Sequence, residues 1–284
     1  MKITRVQATW LQVPIAPERQ HVSDFGRATT FDTALVRIDT DAGLTGWGEA
    51  KVAAGSNGHY AGVCAVVNEE FGPWLVGQDA RAITAIWEGL YNGTRGHYAL
   101  ARGHVFPALG RRGISISALS GIDIALWDLL GKSLGVPVWQ LLGGRRAERM
   151  PAYASGGWAD AAGIGAQLSG YVAQGGFGAV KMRIGVFDGS ARASAERVIA
   201  ARAALGPQVG LMCDAHGSFT VSEARQFCHL VRDCDLAWFE EPVTADDKRG
   251  QAEVRRSTAI PIASGESEAT RFDFYNRNKH SVAF

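Results

Sequence analysis

From Met150 onward the chain repeats one pattern, a short apolar run followed by an amphipathic stretch. The runs are Met150 to Ala154, Gly178 to Ile184, Gly210 to Asp214, Leu236 to Glu240 and Ile260 to Gly265. Their starts, at 150, 178, 210, 236 and 260, lie 28, 32, 26 and 24 residues apart. Helical periodicity fills the gaps at Asp160 to Gln174, Ser190 to Ala204, Ser222 to Val231 and Ala245 to Ser257. Runs that are apolar throughout, rather than alternating, belong to strands covered on both faces. Strands joined by helical crossovers lie parallel, so this half is a parallel sheet, either closed into a barrel or doubly wound. The segment Ser155-Gly156-Gly157-Trp158 is neither a dinucleotide-binding glycine loop nor a P-loop, which favours the barrel.

The preceding residues read differently. Ile3 to Val13 and Thr33 to Asp39 are strand-like, and Asp41-Ala-Gly43 turns the chain into a returning strand, Leu44 to Glu49. Ala16 to Thr30 and Ala50 to Gly58 are expected to be loops, the first of them mobile. Helical patterns follow at Tyr60 to Phe71, Asp79 to Leu90 and Ile114 to Leu134. Strands first and helices after define an α+β domain.

Bulk properties exclude several classes of function. Lys plus Arg (29) against Asp plus Glu (28) leaves a net charge of +1, so no general field attracts nucleic acid or a membrane surface. Cys64, Cys213, Cys228 and Cys234 show no metal-ligand or CxxC spacing and read as buried apolar residues in a reducing compartment. The sequence shows no signal-peptide pattern and no apolar run of about 18 residues. The expectation is a cytoplasmic protein with neither a nucleic-acid nor a membrane partner.

Three consecutive strands of the repeat end in a carboxylate: Asp214 in Met-Cys-Asp-Ala-His-Gly, Glu240 in Trp-Phe-Glu-Glu-Pro and Glu266 in Ser-Gly-Glu-Ser. In a (β/α) barrel the carboxyl ends of the strands share one face, where active sites form. Acids converging there repel unless a cation sits among them, and an oxygen-only set suits Mg²⁺, with Mn²⁺ as a substitute. The competing explanation is that each acid caps the helix after it; three acids in register on consecutive strands weigh against that. Lys181 and Arg183, two residues apart, share a face of the preceding strand. They suit a substrate carboxylate and its developing negative charge, or else they balance Glu240, Glu241 and Glu266. His216, two positions after Asp214, is the acid–base candidate.

Two further segments, Ala118-Leu-Ser-Gly-Ile-Asp-Ile-Ala-Leu-Trp-Asp-Leu-Leu-Gly-Lys132 and Gly135-Val-Pro-Val-Trp-Gln-Leu-Leu-Gly-Gly144, complete a set. Together with the acids, the set resembles the mandelate racemase and muconate-lactonizing family of the enolase superfamily over roughly residues 1 to 274. The resemblance implies an α+β capping domain, residues 1–134, with loops at 16–30 and 50–58 that close over substrate. It also implies a TIM-barrel-like (β/α) catalytic domain, residues 135–284. With about five of eight strands and no later His-Asp pair, the barrel is expected to be incomplete. Asp214, Glu240 and Glu266 match the family's metal ligands, while Lys181 and Arg183 occupy its Lys-x-Lys motif. Arginine at the second position stays protonated and is a poor base. Asp214-Ala-His216-Gly is similar to the family's acid-sugar dehydratases, in which the histidine protonates the leaving hydroxyl.

The function implied is Mg²⁺-dependent removal of a proton α to a carboxylate, with β-elimination of water from a sugar acid or another α-hydroxy carboxylate. A full-length form is expected to be a homo-oligomer. The alternatives are a racemase or epimerase of the same family, or a non-catalytic remnant.

Overall fold

The computed structural model describes residues 1–20, 22–23, 26–52, 59–93 and 111–274. The chain forms two compact units, Met1–Glu148 and Arg149–Phe284. The sequence reading sets the boundary after Leu134, but the next fourteen residues, 135–148, group with the first unit. The reason is local. Gly135 takes a left-handed conformation (φ 67°), and the Val136 N–H reaches back to the Gly131 carbonyl at 3.0 Å. This C-terminal cap turns the chain back onto the helix that it ends.

In the first unit, β1 (Ile3–Pro14), β4 (Thr30–Thr40) and β5 (Thr45–Ala50) form an antiparallel sheet in the order β1-β4-β5. The expected loop between β1 and β4 holds a 3₁₀ turn, Pro17–Arg19, and a small ribbon of β2 (Val22–Ser23) and β3 (Gly26–Arg27). Most of the second expected loop, residues 53–58, lies outside the described residues. Helices α1 (Ala61–Ala65), α2 (Gly72–Leu75) and α3 (Ile83–Asn92) follow, with a π-helical stretch, Val66–Phe71, joining the first two.

Helix α4 (Ile114–Leu134) packs on β4 and β5 with Leu119, Ile122, Leu126 and Leu129 buried. The approach is close because glycines line it. A Cβ at Gly48 would overlap the Gly121 carbonyl, and one at Gly121 would stand 2.8 Å from Val36 Cγ2. By length and composition α4 could cross a membrane, with mean hydropathy 1.4 over its most apolar stretch, half of which is buried within the protein. That apolarity is used against the sheet. Helix α5 (Val138–Leu141) ends the unit.

The second unit alternates strand and helix: β6 (Ala154–Gly156), α6 (Ile164–Gly175), β7 (Ala179–Arg183), α7 (Ala191–Leu205), β8 (Gly210–Asp214), α8 (Val221–Leu230), β9 (Leu236–Glu240), α9 (Lys248–Arg256) and β10 (Ile262–Ala263). Among the described residues these strands pair in parallel and between chain neighbours, in the order β10-β9-β8-β7-β6. Val180, Met182, Leu211, Cys213 and Phe239 face the helices, where they meet Leu168, Val198 and Phe227. Lys181 and Arg183 take the opposite face.

The sheet is curled rather than flat. The rings of Tyr153, just before β6, and Trp238 on β9 lie 5.6 Å apart, edge to face. Three strand steps of a flat sheet would separate them by roughly 14 Å. The outer strands are shorter or displaced from expectation. Met150 to Tyr153 precede β6 rather than forming it, and β10 keeps only two residues of Ile260 to Gly265. Among the described residues each borders one strand only, and Pro151 and Pro261 remove backbone donors where those strands were expected.

Candidate active site

Cα pairing places Arg183, Asp214, Glu240 and Ala263 in one row across the carboxyl ends of β7, β8, β9 and β10. Each strand therefore delivers its last side chain to the same edge of the sheet. Asp214 is the anchor, buried at 3% exposure. Its Oδ2 accepts from Lys181 Nζ at 3.0 Å, and its Oδ1 lies 2.8 Å from an Arg183 guanidinium nitrogen. The His216 backbone N–H donates to the same Oδ1 at 3.0 Å. Lys181 Nζ also donates to Glu240 Oε2 at 2.7 Å, and that oxygen receives the Trp238 indole N–H at 3.1 Å. Burial works against the Lys181 charge. The bond to Glu240, and the charge and bond of Asp214, outweigh it and hold the ammonium above the ordinary lysine range.

The backbone beyond the strand ends is strained. His216 (φ 48°) and Glu241 (φ 41°) both adopt left-handed conformations, which cost non-glycine residues about 1–3 kcal/mol each and concentrate at functional sites. Pairing continues past them: Ala215 N–H donates to the Glu240 carbonyl at 3.0 Å, Gly217 N–H to Glu241 at 2.7 Å, and Glu241 N–H to Ala263 at 2.9 Å. The strained residues are thus held by hydrogen bonds on both sides.

The structure brings together Lys181, Arg183, Asp214 and Glu240, with the His216 backbone joined to Asp214. It does not draw Glu266 into that group. Glu266 follows β10 by three residues and its side chain is exposed. Its charge acts instead on Glu241, a carboxyl that the sequence reading treats only as something to be balanced. Glu241 is 4% exposed, and its Oε1 has no hydrogen-bond partner. Burial pushes its pKa up, the charge of His216 opposes this, and Glu266, Asp214 and Glu240 push it further up. The sequence reading takes Glu240 as the strand-end acid, and Glu241, next to it in Glu-Glu-Pro, carries no separate signal.

Among the described residues, no three His, Cys, Asp or Glu side chains are gathered as a group able to hold a metal ion. The donor chemistry nonetheless fits a hard divalent cation. Asp214 and Glu240 are paired with two cations (Lys181 and Arg183), Glu241 lies buried beside them with one carboxylate oxygen lacking a partner, and the charge of Glu266 acts on Glu241. The cysteines are free; Cys213, Cys228 and Cys234 are buried, and Cys213 lies on the helix-facing side of β8, away from these acids.

Comparison with known proteins defines the fold and the family. Residues 5–143 match the N-terminal domain of mandelate racemase and muconate lactonizing enzyme, and residues 163–279 match an enolase C-terminal domain-like family. The chain is 34% identical over 275 residues to D-galactarolactone cycloisomerase of Agrobacterium fabrum, covering 92% of this chain and 67% of that protein. It is 38% identical over 247 residues to D-galactonate dehydratase of Ralstonia nicotianae, covering 84% of this chain and 59% of the relative. A crystal structure of a racemase from Streptomyces coelicolor A3(2) with bound magnesium superposes with a TM-score of 0.81 at 34% identity, covering 98% of this chain and 73% of that one. A capping domain followed by a barrel is the enolase-superfamily fold. Within that superfamily, the chain belongs to the mandelate racemase and muconate lactonizing enzyme family.

Proposed function

We propose that the protein acts on a sugar acid, removing the proton α to the carboxylate and expelling a β-oxygen as water, with Mg²⁺ held by Asp214, Glu240 and Glu266. The observation that carries this reading is the Lys181 ammonium, fixed between Asp214 and Glu240 at the carboxyl ends of adjacent parallel strands. When bound there, the cation would supply Lewis-acid stabilisation of the charge that gathers on the substrate carboxylate.

Lys181 and Arg183 are preorganised positive charges, and such charges contribute most where negative charge develops. Lys181 is held in its charged form and arginine is a poor base, so the pair stabilise charge and orient the substrate rather than accept the α-proton. The α C–H bond breaks, its proton passes to another group, and its electrons form the double bond of the ene-diolate. The β C–O bond then breaks, with a proton from the His216 imidazole leaving as part of water. The resulting enol tautomerises to a 2-keto-3-deoxy acid.

The cycloisomerase relative favours a second form of the same reaction. On a cyclic acid, the oxygen expelled in the elimination step would be a ring oxygen that remains attached to the product. His216 would protonate it in the same way. The two forms share their first step and differ in whether water is lost. Both readings concern the activity of a whole protein, and the chain spans 67% and 59% of the two relatives named.

The test is His216→Asn, assayed with galactonate and related acids in D₂O. Loss of elimination by about 100-fold or more, with α-proton exchange retained, is the expected result for a general acid. Equal loss of exchange and elimination would remove His216 from that role.

A further inference from the structure

Arg197 is 7% exposed on α7, and its guanidinium is spent almost wholly on backbone. Nε donates to the Ala159 carbonyl at 2.8 Å, one terminal nitrogen to Gly157 at 2.9 Å, and the other to Arg183 at 2.9 Å and to Asp188 Oδ1 at 2.8 Å. Asp188 is saturated in turn: its Oδ2 accepts the Gly185 N–H at 2.9 Å and the Ser194 hydroxyl at 2.6 Å. Both partners of this ion pair are nearly buried, with side-chain exposures of 9% and 6%.

A buried ion pair is weak evidence of stabilisation, because apolar replacements often do as well. What this one supplies is geometry. The β6–β7 ladder ends at Gly156 opposite Met182, so the Arg183 carbonyl lies one residue beyond the last rung on that side. A partly buried carbonyl there is best satisfied by a donor, and Arg197 provides it while also holding the segment that leaves β6.

We infer that Arg197, locked by Asp188, is a positioning residue that fixes the carboxyl ends of β6 and β7 and so aims the Arg183 side chain at Asp214. The inference rests on the proposed reading only in taking Arg183 and Asp214 as site residues.

The experiment is NMR of arginine-¹⁵N-labelled protein, with Arg183 signals assigned by their absence in Arg183→Lys. In the parent protein the Arg183 guanidinium, paired at 2.8 Å, gives restricted, resolved terminal-nitrogen signals. Arg197→Met should collapse them to the averaged signal of a mobile arginine. Asp188→Asn, a milder change, should broaden them partially. Arg202 is the internal control. It lies five residues along the same helix and binds the carbonyls of Cys234, Gly206, Val209 and Asp235.

Loss of Arg183 order with Arg202 intact supports the inference, because general loosening would move both. Unchanged Arg183 signals in a folded variant, or joint loss of both arginines, would overturn it. Should Arg197→Met fail to fold, Asp188→Asn decides by the same criterion. The measurement needs neither metal nor substrate, so failure of the proposed reaction would leave its outcome readable.

Discussion

Arg183 and Asp214 are neighbours twice over: their Cα atoms pair across β7 and β8, and their side chains meet at 2.8 Å. At the position where the family pattern carries a second lysine, this chain therefore places a permanent cation against a candidate metal ligand. Arg183 and a divalent ion would compete for Asp214 and repel each other. Arg183→Met should accordingly tighten Mn²⁺ binding by at least about tenfold, since unit charges about 4 Å apart interact by about 1 kcal/mol in bulk water and about 4 kcal/mol near a protein surface. Mn²⁺ titration followed by electron paramagnetic resonance checks it. Weaker binding would mean that the guanidinium organises Asp214 more than it opposes the metal.

Substitution of the acids should act with the opposite sign. Asp214→Asn and Glu240→Gln should each weaken Mn²⁺ binding at least about tenfold, since even outer partners of metal ligands change affinity that much. The same titration applied to Glu266→Gln asks whether the exposed third acid takes part. Equal binding in the parent and all three variants would end the metal reading.

Alkaline conditions should destabilise the second unit through its buried thiols. Burial pushes the Cys228 thiol from its usual value near 9 up to about 11, and Cys213 shifts in the same direction. Between those values the folded state keeps a proton that the unfolded chain releases. Stability is therefore unaffected below pH 9 and falls as pH rises toward 11, by roughly 2 kcal/mol from Cys228. Urea denaturation at pH 8, 9.5 and 11 should show this fall, and Cys228→Ala should flatten it. Parallel pH profiles for the two proteins would count against the assignment.

In the first unit, Gly48→Ala should be the costly small change. The added methyl would overlap the Gly121 carbonyl, so α4 and β5 must move apart. Overpacking of this kind costs typically about 1–3 kcal/mol. Gly43→Ala tests a different cost, because nothing lies near its Cβ but its φ is 75°. Thermal melts should show the larger loss at Gly48. A smaller loss there than at Gly43 would mean that the packed interface yields more easily than the turn.

Legibility in the sequence follows how fully an element is enclosed. Gly210–Asp214, Leu236–Glu240 and Ile114–Leu134 are bounded identically in sequence and structure. Each is packed by neighbours on several sides, so its apolar pattern is unbroken. Among the described residues the outer strands β6 and β10 answer to one neighbour each, and prolines beside them blur their limits. At the site, the shared face of Lys181 and Arg183 was readable from spacing alone. The distance of Glu266 from the others was not, because strand-end register says nothing of a side chain three residues further on. Arg197 was invisible for a different reason. In Ala-Arg-Ala-Ser-Ala-Glu-Arg-Val an arginine reads as a solvent-facing charge, and only the folded positions of Asp188 and the β6 and β7 termini show what it holds.

The strict neighbour-by-neighbour strand order has a consequence for how the second unit comes into being. Lys181 pairs opposite Met212 and Asp214 opposite Glu240, so each rung closes a loop of one strand–helix–strand step. Closing short loops costs less chain entropy than bringing distant segments together, and it proceeds faster. A growing polypeptide can therefore dock each hairpin-sized module on its predecessor as it leaves the ribosome, without waiting for the carboxyl terminus. The acids and cations would then be assembled in the order in which they are translated, Lys181 and Arg183 first and the carboxylates that neutralise them after.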